Sequence, residues 1–508
     1  MNVRISQRGE LMKRIILILS FLLGIVFSAS GAGPDLPDAK AYNKRGLEKL
    51  AKKEYDNAVA DFSIAIKLEP ATAVYYKNRG DARFFKQDYE GQLADYSRAI
   101  ELNSRYSDAY FSRGRAWFRK GEYDKALADY FRALENDPKQ AVIQNQMGLA
   151  WQQKGDFDKA IEAFTKAIEA DPKFTAALDN RGNAFSQKGE YEKAVIDFTR
   201  SLEIDPQFAQ FYYNRGVAWY QVYENDEDQA IADLSKAIEL NPKFAKAYKF
   251  RGLRWHSKKN YDQAINDLTK AIELEPKDPE HYFYRGNALS SQGNFERAIK
   301  DYTAALELDP RLFNAYRNRG LAWEGREEYR NAVKDYSWAL ELNPREVDLY
   351  LKRGHAFNGL KEYDRALDDF NKYLEKKTDN AEAYYGRGVA FSAKYDFEKA
   401  IANYSRALEL NPNHFRAYRG RGTARHARRE YEKAIDDFSK ALEMEPFDAG
   451  VYYSRSIDFE KTGEYVKAFQ DIQKALIFEP ANSEYRNRLE KLKAILKKLE
   501  PHNPLLPF

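Results

Sequence analysis

The sequence predicts an all-α solenoid, thirteen helix-turn-helix units in tandem closed by a C-terminal capping helix. Three observations predict it. A glycine recurs at 46, 80, 114, 148, 182, 216, 252, 286, 320, 354, 388 and 422, always 34 residues apart except for a step of 36 after Gly216. Within each period the apolar residues fall on two helical stripes separated by a short polar turn. The composition, 44% hydrophobic and 31% charged with 36 Tyr and 31 Phe, is that of a folded chain.

The first element in order is an export signal. Arg4, Arg8, Lys13 and Arg14 precede an apolar run from Ile15 to Phe27, and small residues follow from Ser28 to Gly33, with Ser30 and Ala32 spaced as at a cleavage site. Residues 1–32 are therefore expected to be a signal peptide, the alternative being an uncleaved N-terminal anchor. Met12 offers a second start. The remainder is then expected outside the cytoplasm, in a bacterial periplasm or at the cell surface, with membrane contact only through a retained N-terminus. Residues 33–38 form a linker.

The units span 39–482. With the recurring glycine numbered as unit position 8, alanine occupies position 20 except at Gln92, and position 27 except at Ser201 and Tyr373; proline occupies position 32 except at Ser104 and Thr378. Positions 4, 8 and 11 share one helical face, and 20, 24, 27 and 28 share another. Small residues let the two backbones approach while aromatics at position 24, such as Phe62, Tyr130 and Phe438, fill the space between them. A lone unit could not bury its apolar face, so the units must stack. After the last, Ser483 is placed to N-cap a helix to about Leu499 whose stripe is Tyr485, Leu489, Leu492, Ile495, Leu496 and Leu499. The capping helix is assigned to 483–500, and 501–508 is a tail.

This pattern resembles the tetratricopeptide repeat (TPR) family, which repeats every 34 residues with aromatics at positions 4, 11 and 24, glycine at 8, alanine at 20 and 27, and proline at 32. Repeat 3 carries it as Tyr110, Gly114, Trp117, Ala126, Tyr130, Ala133 and Pro138. The resemblance implies a right-handed superhelix whose first helices line a concave groove through positions 2, 5, 9 and 12. It also implies a scaffold that binds a protein or peptide rather than an enzyme. On that reading the partner-binding residues are Phe111, Phe118, Tyr213, Tyr220, Lys249, Phe283, Asn287 and Arg317, with aromatics as anchors and Lys249 and Arg317 setting polarity. The family's clamp for a C-terminal carboxylate is only partly met, since Phe283 and Asp348 stand where lysine is wanted beside Asn287, Asn318 and Lys352. A carbohydrate or envelope-polymer binder, or a structural spacer, are the alternatives; a continuous track of groove aromatics would favour the polymer binder.

Charge adds two features. Position 7 is arginine in twelve units, Met147 excepted, and position 23 is aspartate in eleven, the exceptions being Ala163 and Asn403. Pairing within a repeat, as Arg215 with Asp233, accounts for both columns better than an arginine ladder for an anionic polymer. Repeat 12 concentrates Arg416, Arg419 and Arg425, read either as locally compensated by Asp458 and Glu460 or as an anion site. Residues 33–508 hold 78 cations against 77 anions, so the footprint of a nucleic-acid binder is missing. The chain has no cysteine, its six histidines fall at unrelated unit positions and are expected in solvent, and no phosphate loop or nucleophile elbow occurs. No catalytic residue, metal site or cofactor is therefore expected.

Overall fold

The computed structural model describes residues 38–136, 141–222 and 227–499; the expected export signal and the tail lie outside them. Among the described residues there are twenty-seven helices and no strand. They divide into two compact units, one ending at Asn241 and the other beginning at Pro242. In each, a first (A) helix and a second (B) helix alternate along the chain, and each helix packs on the ones before and after it. None of the described helices is long and apolar enough to cross a membrane.

Repeat 3 shows how the sequence builds the pair. Its A helix runs Ser107–Arg119 and its B helix Tyr123–Asn136. Between them Gly121 adopts φ +78°, and the amides of Gly121 and Glu122 reach back to the carbonyls of Phe118 and Trp117, both at 3.0 Å, closing the A helix with a left-handed residue. The same conformation falls on side-chain-bearing residues elsewhere, among them Lys53, Gln87, Tyr395 and Arg429. Several B helices are opened by an Asp or Asn side chain accepting from the third helical amide, as Asp88 does from Gly91 at 3.0 Å.

The two helices of a repeat meet where Gly114 faces the Tyr130 ring. A Cβ built on Gly114 would lie 2.6 Å from that ring, so only glycine permits the approach. Ala126, Tyr130 and Ala133 are completely buried, and burial of a large apolar side chain contributes about 1.5–3 kcal/mol. Successive repeats join through smaller contacts, as where Ala99 and Ile100 pack on Ala109 with Tyr76 and Tyr110 alongside. Packing is therefore confined to sequence neighbours, the pattern of a stacked array.

The final helix, Ser483–Leu499, differs from expectation in two details. Its cap is Asn482, whose Oδ1 accepts from the amides of Glu484 and Tyr485 at 3.1 and 3.3 Å, so Ser483 is the first helical residue. Tyr485, Leu492 and Leu496 are buried, but Leu499 is exposed. At 17 residues this helix is longer than the 14-residue helix before it.

Candidate functional site

The arginine and aspartate columns form one repeated arrangement. Arg215 Nε and a terminal guanidinium nitrogen donate to the two carboxylate oxygens of Asp233 at 2.7 and 2.8 Å, a bidentate charge-assisted pair between the two helices of one repeat. The same fork joins Arg113 to Asp129, Arg181 to Asp197, Arg285 to Asp301 and Arg455 to Asp471. The aspartates are buried, and the Asp233 and Asp301 carboxylates hold Arg215 and Arg285 above the ordinary arginine range.

A third member escapes the sequence reading. The remaining guanidinium nitrogen reaches back to a hydroxyl at unit position 25 of the preceding repeat, as Arg113 to Ser97 at 3.1 Å, Arg181 to Thr165 at 3.0 Å and Arg455 to Ser439 at 2.8 Å. Repeat 4 has Met147 for the arginine and Ala163 for the aspartate, and the position-25 residue before it is Phe131. All three parts are lost together, and that coincidence was the signal available in the sequence. The clamp absorbs the column, leaving no row of free arginines among the described residues for an anionic polymer.

Groove-type positions do form a cleft in the first unit, with a volume of about 490 Å³. Leu50, Lys77, Asp81, Phe84, Asp108, Phe111 and Arg115 line it, and all seven stand at unit positions 2, 5, 9 or 12 of repeats 1 to 3. Phe84 and Phe85 meet edge to face at 5.1 Å, and Phe85 is half exposed. Arg115 lies over both Phe84 and Phe111, at 5.5 and 5.8 Å, with Arg119 over Phe84 at 4.1 Å, and Arg115 has no ion pair among the described residues. Lys77 is paired with Asp81 at 2.7 Å. An apolar floor beside one uncommitted guanidinium can take an apolar side chain together with a carbonyl or carboxylate.

The other expected partner residues are bound more tightly into the protein than the sequence suggests. Phe118 turns away from Phe111's cleft to pack on Tyr123 at 5.4 Å. Tyr213 is half-buried, and burial pushes its hydroxyl up to about 12; Tyr220 is likewise half-buried. In the second unit Lys249 is paired with Glu280 at 2.6 Å. Phe283 packs on Tyr284 and Tyr302, and Asn287 accepts from the Tyr302 hydroxyl at 2.9 Å and from Asn318 at 2.8 Å. Arg317 donates to Asn318 at 3.2 Å. In the first unit Asp179 accepts from Asn214 at 2.6 Å and Asn183 at 3.1 Å; burial nevertheless pushes its carboxyl up to about 6.

Repeat 12 separates its arginines. Arg425 bonds Asp437 at 2.8 Å beside Arg421 and so leaves the expected anion site. Arg416 and Arg419 stay exposed and line a second cleft with Tyr385, Tyr404 and Phe415; Arg419 reaches Asp448 at 3.2 Å. The histidines are not solvated as a group. His281 and His414 are buried, and burial lowers His355 to about 4. His426 bonds the buried Asp458, which raises it. His281 stands at unit position 3, His414 is the N-cap of helix Phe415–Ala427, and His355 and His426 stand at positions 9 and 12.

Comparison with known families identifies the repeat. Profiles described as TPR repeat or tetratricopeptide repeat match residues 43–104, 107–140, 141–174, 182–222, 209–244, 252–293, 286–324, 317–381 and 381–414. The chain belongs to the tetratricopeptide repeat family. No curated protein sequence matches this TPR chain. Among solved structures it is similar to MamA, at 31% identity over 32% of this chain and 95% of that one, with a TM-score of 0.31. It is also similar to YrrB, described as a TPR protein with an unusual peptide-binding site, at 27% identity over 39% and 97% with a TM-score of 0.33. A TPR protein from Parabacteroides merdae matches at 21% identity over 50% and 99%, with a TM-score of 0.40.

Proposed function

We propose that this TPR protein is an exported, non-enzymatic scaffold that captures a segment of a protein partner. The observation that carries the reading is the cleft over repeats 1 to 3. Phe84 and Phe111 stand at groove positions with the half-exposed Phe85 beside them, and Arg115 has no ion pair among the described residues. A bound segment would seat an apolar side chain on the Phe84 face and offer Arg115 a backbone carbonyl or an acidic group. Breaks in the aromatic series of the first unit favour a discrete pocket over a continuous polymer track. After Phe111 the position-5 residues are Asn145 and Asp179, both engaged in hydrogen bonds with neighbouring asparagines. Export rests on the basic, apolar and small-residue segments of residues 1–32.

Photo-crosslinking from position 85 in the native cell identifies the partner. Phe84→Ala and Arg115→Ala should then each weaken its binding to the purified chain by roughly tenfold or more, with helicity unchanged. Unaltered affinity in both, with loss on replacing Arg416 and Arg419, would move the site to the cleft of repeat 12.

A further inference from the structure

The turn that enters repeat 8 carries polar groups that the repeat pattern does not call for. Unit position 3 is a buried apolar column, filled in the second unit by Ala247, Ala315, Leu349, Ala383, Ala417 and Val451. At 281 it is a histidine, with no exposed surface at all. Its Nδ1 lies 3.3 Å from the Glu275 carbonyl oxygen, which can only accept, so the ring proton belongs on Nδ1. Nε2 then presents a lone pair, makes no hydrogen bond, and faces Asp278 Oδ2 at 3.4 Å. A buried imidazole acceptor set against a partly exposed carboxylate oxygen is unfavourable unless a cation lies between them.

We propose that Glu275, Asp278 and His281 bind a divalent transition-metal ion, zinc by the nature of the donors. Ligand atoms held about 2.0–2.1 Å from a tetrahedral ion lie about 3.3–3.4 Å apart, which is the spacing of His281 Nε2 and Asp278 Oδ2. The Glu275 carboxylate is exposed, and the three ligand atoms all lie within 4.8 Å of one another. A backbone carbonyl on Nδ1 is the usual means of orienting a metal-bound imidazole. Asp278 divides its work: Oδ1 accepts from the Glu280 amide at 2.9 Å at the helix start, and Oδ2 is left for the ion. Two carboxylates and a neutral imidazole match a dipositive charge, and a water completes four-coordination. The corresponding turn before repeat 2 has Glu69 and Tyr75, where the tyrosine hydroxyl donates its own proton to Glu69 at 3.2 Å and no cation is needed. Histidine in that place lacks the proton.

The test uses the full chain without a histidine tag, stripped with chelator, and zinc chloride at pH 7.5 in equilibrium dialysis. One tightly held zinc per chain and a raised melting temperature are expected. His281→Phe, a residue the same column accepts at Phe211, and Asp278→Asn, which keeps the helix cap, should each weaken binding by tenfold or more. Their metal-free melting temperatures should stay within about 5 °C of the parent. Zinc binding that both variants leave unchanged, or none at all, overturns the proposal. So does nitrogen NMR showing His281 protonated on both ring nitrogens in the presence of zinc, because the cation between the two acceptors is then a proton. If His281→Phe does not fold, Asp278→Asn decides alone.

Discussion

Arg387 meets Asn403 Oδ1 at 2.7 Å where its counterparts meet a carboxylate, and it also donates to Asn371 of the repeat before at 2.9 Å. Burial pulls its basicity down, whereas Arg215 and Arg285 are held up by their aspartates. A half-buried guanidinium facing only neutral acceptors keeps part of its desolvation cost without the compensating charge. Asn403→Asp is accordingly expected to stabilise, by about 1–2 kcal/mol, read as a higher urea midpoint; an unchanged or lower midpoint would mean that burying the second charge cancels the gain. The Arg and Asp partners were legible because each forms a near-invariant column inside one chain. The Ser and Thr partners were not, since a hydroxyl on a B helix reads as ordinary surface until the third guanidinium nitrogen is seen pointing at it. His281 was missed for a related reason: Glu275, Asp278 and His281 are spaced by threes across a turn, outside any helical ligand pattern.

At the scale of the helix pair, the close approach depends on what fills position 24. Opposite Gly114 stands the Tyr130 ring, 2.6 Å from where a methyl group would sit, while opposite Gly216 the nearest atom is Leu234 Cγ at 3.1 Å. Alanine gains about 1 kcal/mol over glycine in a helix interior, so the two sites set the same gain against different crowding. Gly114→Ala is expected to lose about 1–3 kcal/mol net, because Tyr130 is enclosed and cannot move aside, and Gly216→Ala to come out near neutral. Equal melting-temperature shifts in the two variants would show that the ring does not enforce the glycine. The order of two helices to a repeat was readable, since glycine, alanine and proline columns punctuate each unit. The cap at Asn482 was not, because Ser483 beside it is an equally good capping residue and only the hydrogen bonds to Glu484 and Tyr485 distinguish them.

For the whole molecule, the proposal of export makes a prediction independent of any partner. Mature protein should begin between Ala29 and Asp35 on N-terminal sequencing, and an intact Met1 or Met12 in a soluble cytoplasmic fraction would refute it. Fold could be read across the array because every repeat restates it; the candidate cleft could be read only as a set of positions. Phe111 was recognisable as a groove residue, but Phe84 and Arg115 become partners of it only when three A helices stand side by side. The clamp also bears on how such a chain came to have so many repeats. Within each unit most clamped repeats bring an arginine that takes a hydroxyl from the repeat before and a hydroxyl that serves the repeat after, so a duplicated stretch of 34 codons from such a repeat arrives with both ends already matched. The last repeat carries Gln473 where the hydroxyl would be, and the closing helix has Leu489 at the arginine's place, while its Arg488, one position earlier, donates to Ser456 at 2.8 Å. In-frame duplication of a repeat that carries the hydroxyl therefore meets no mismatch in the clamp, whereas a copy placed after Phe131 or Gln473 would find no hydroxyl for its arginine.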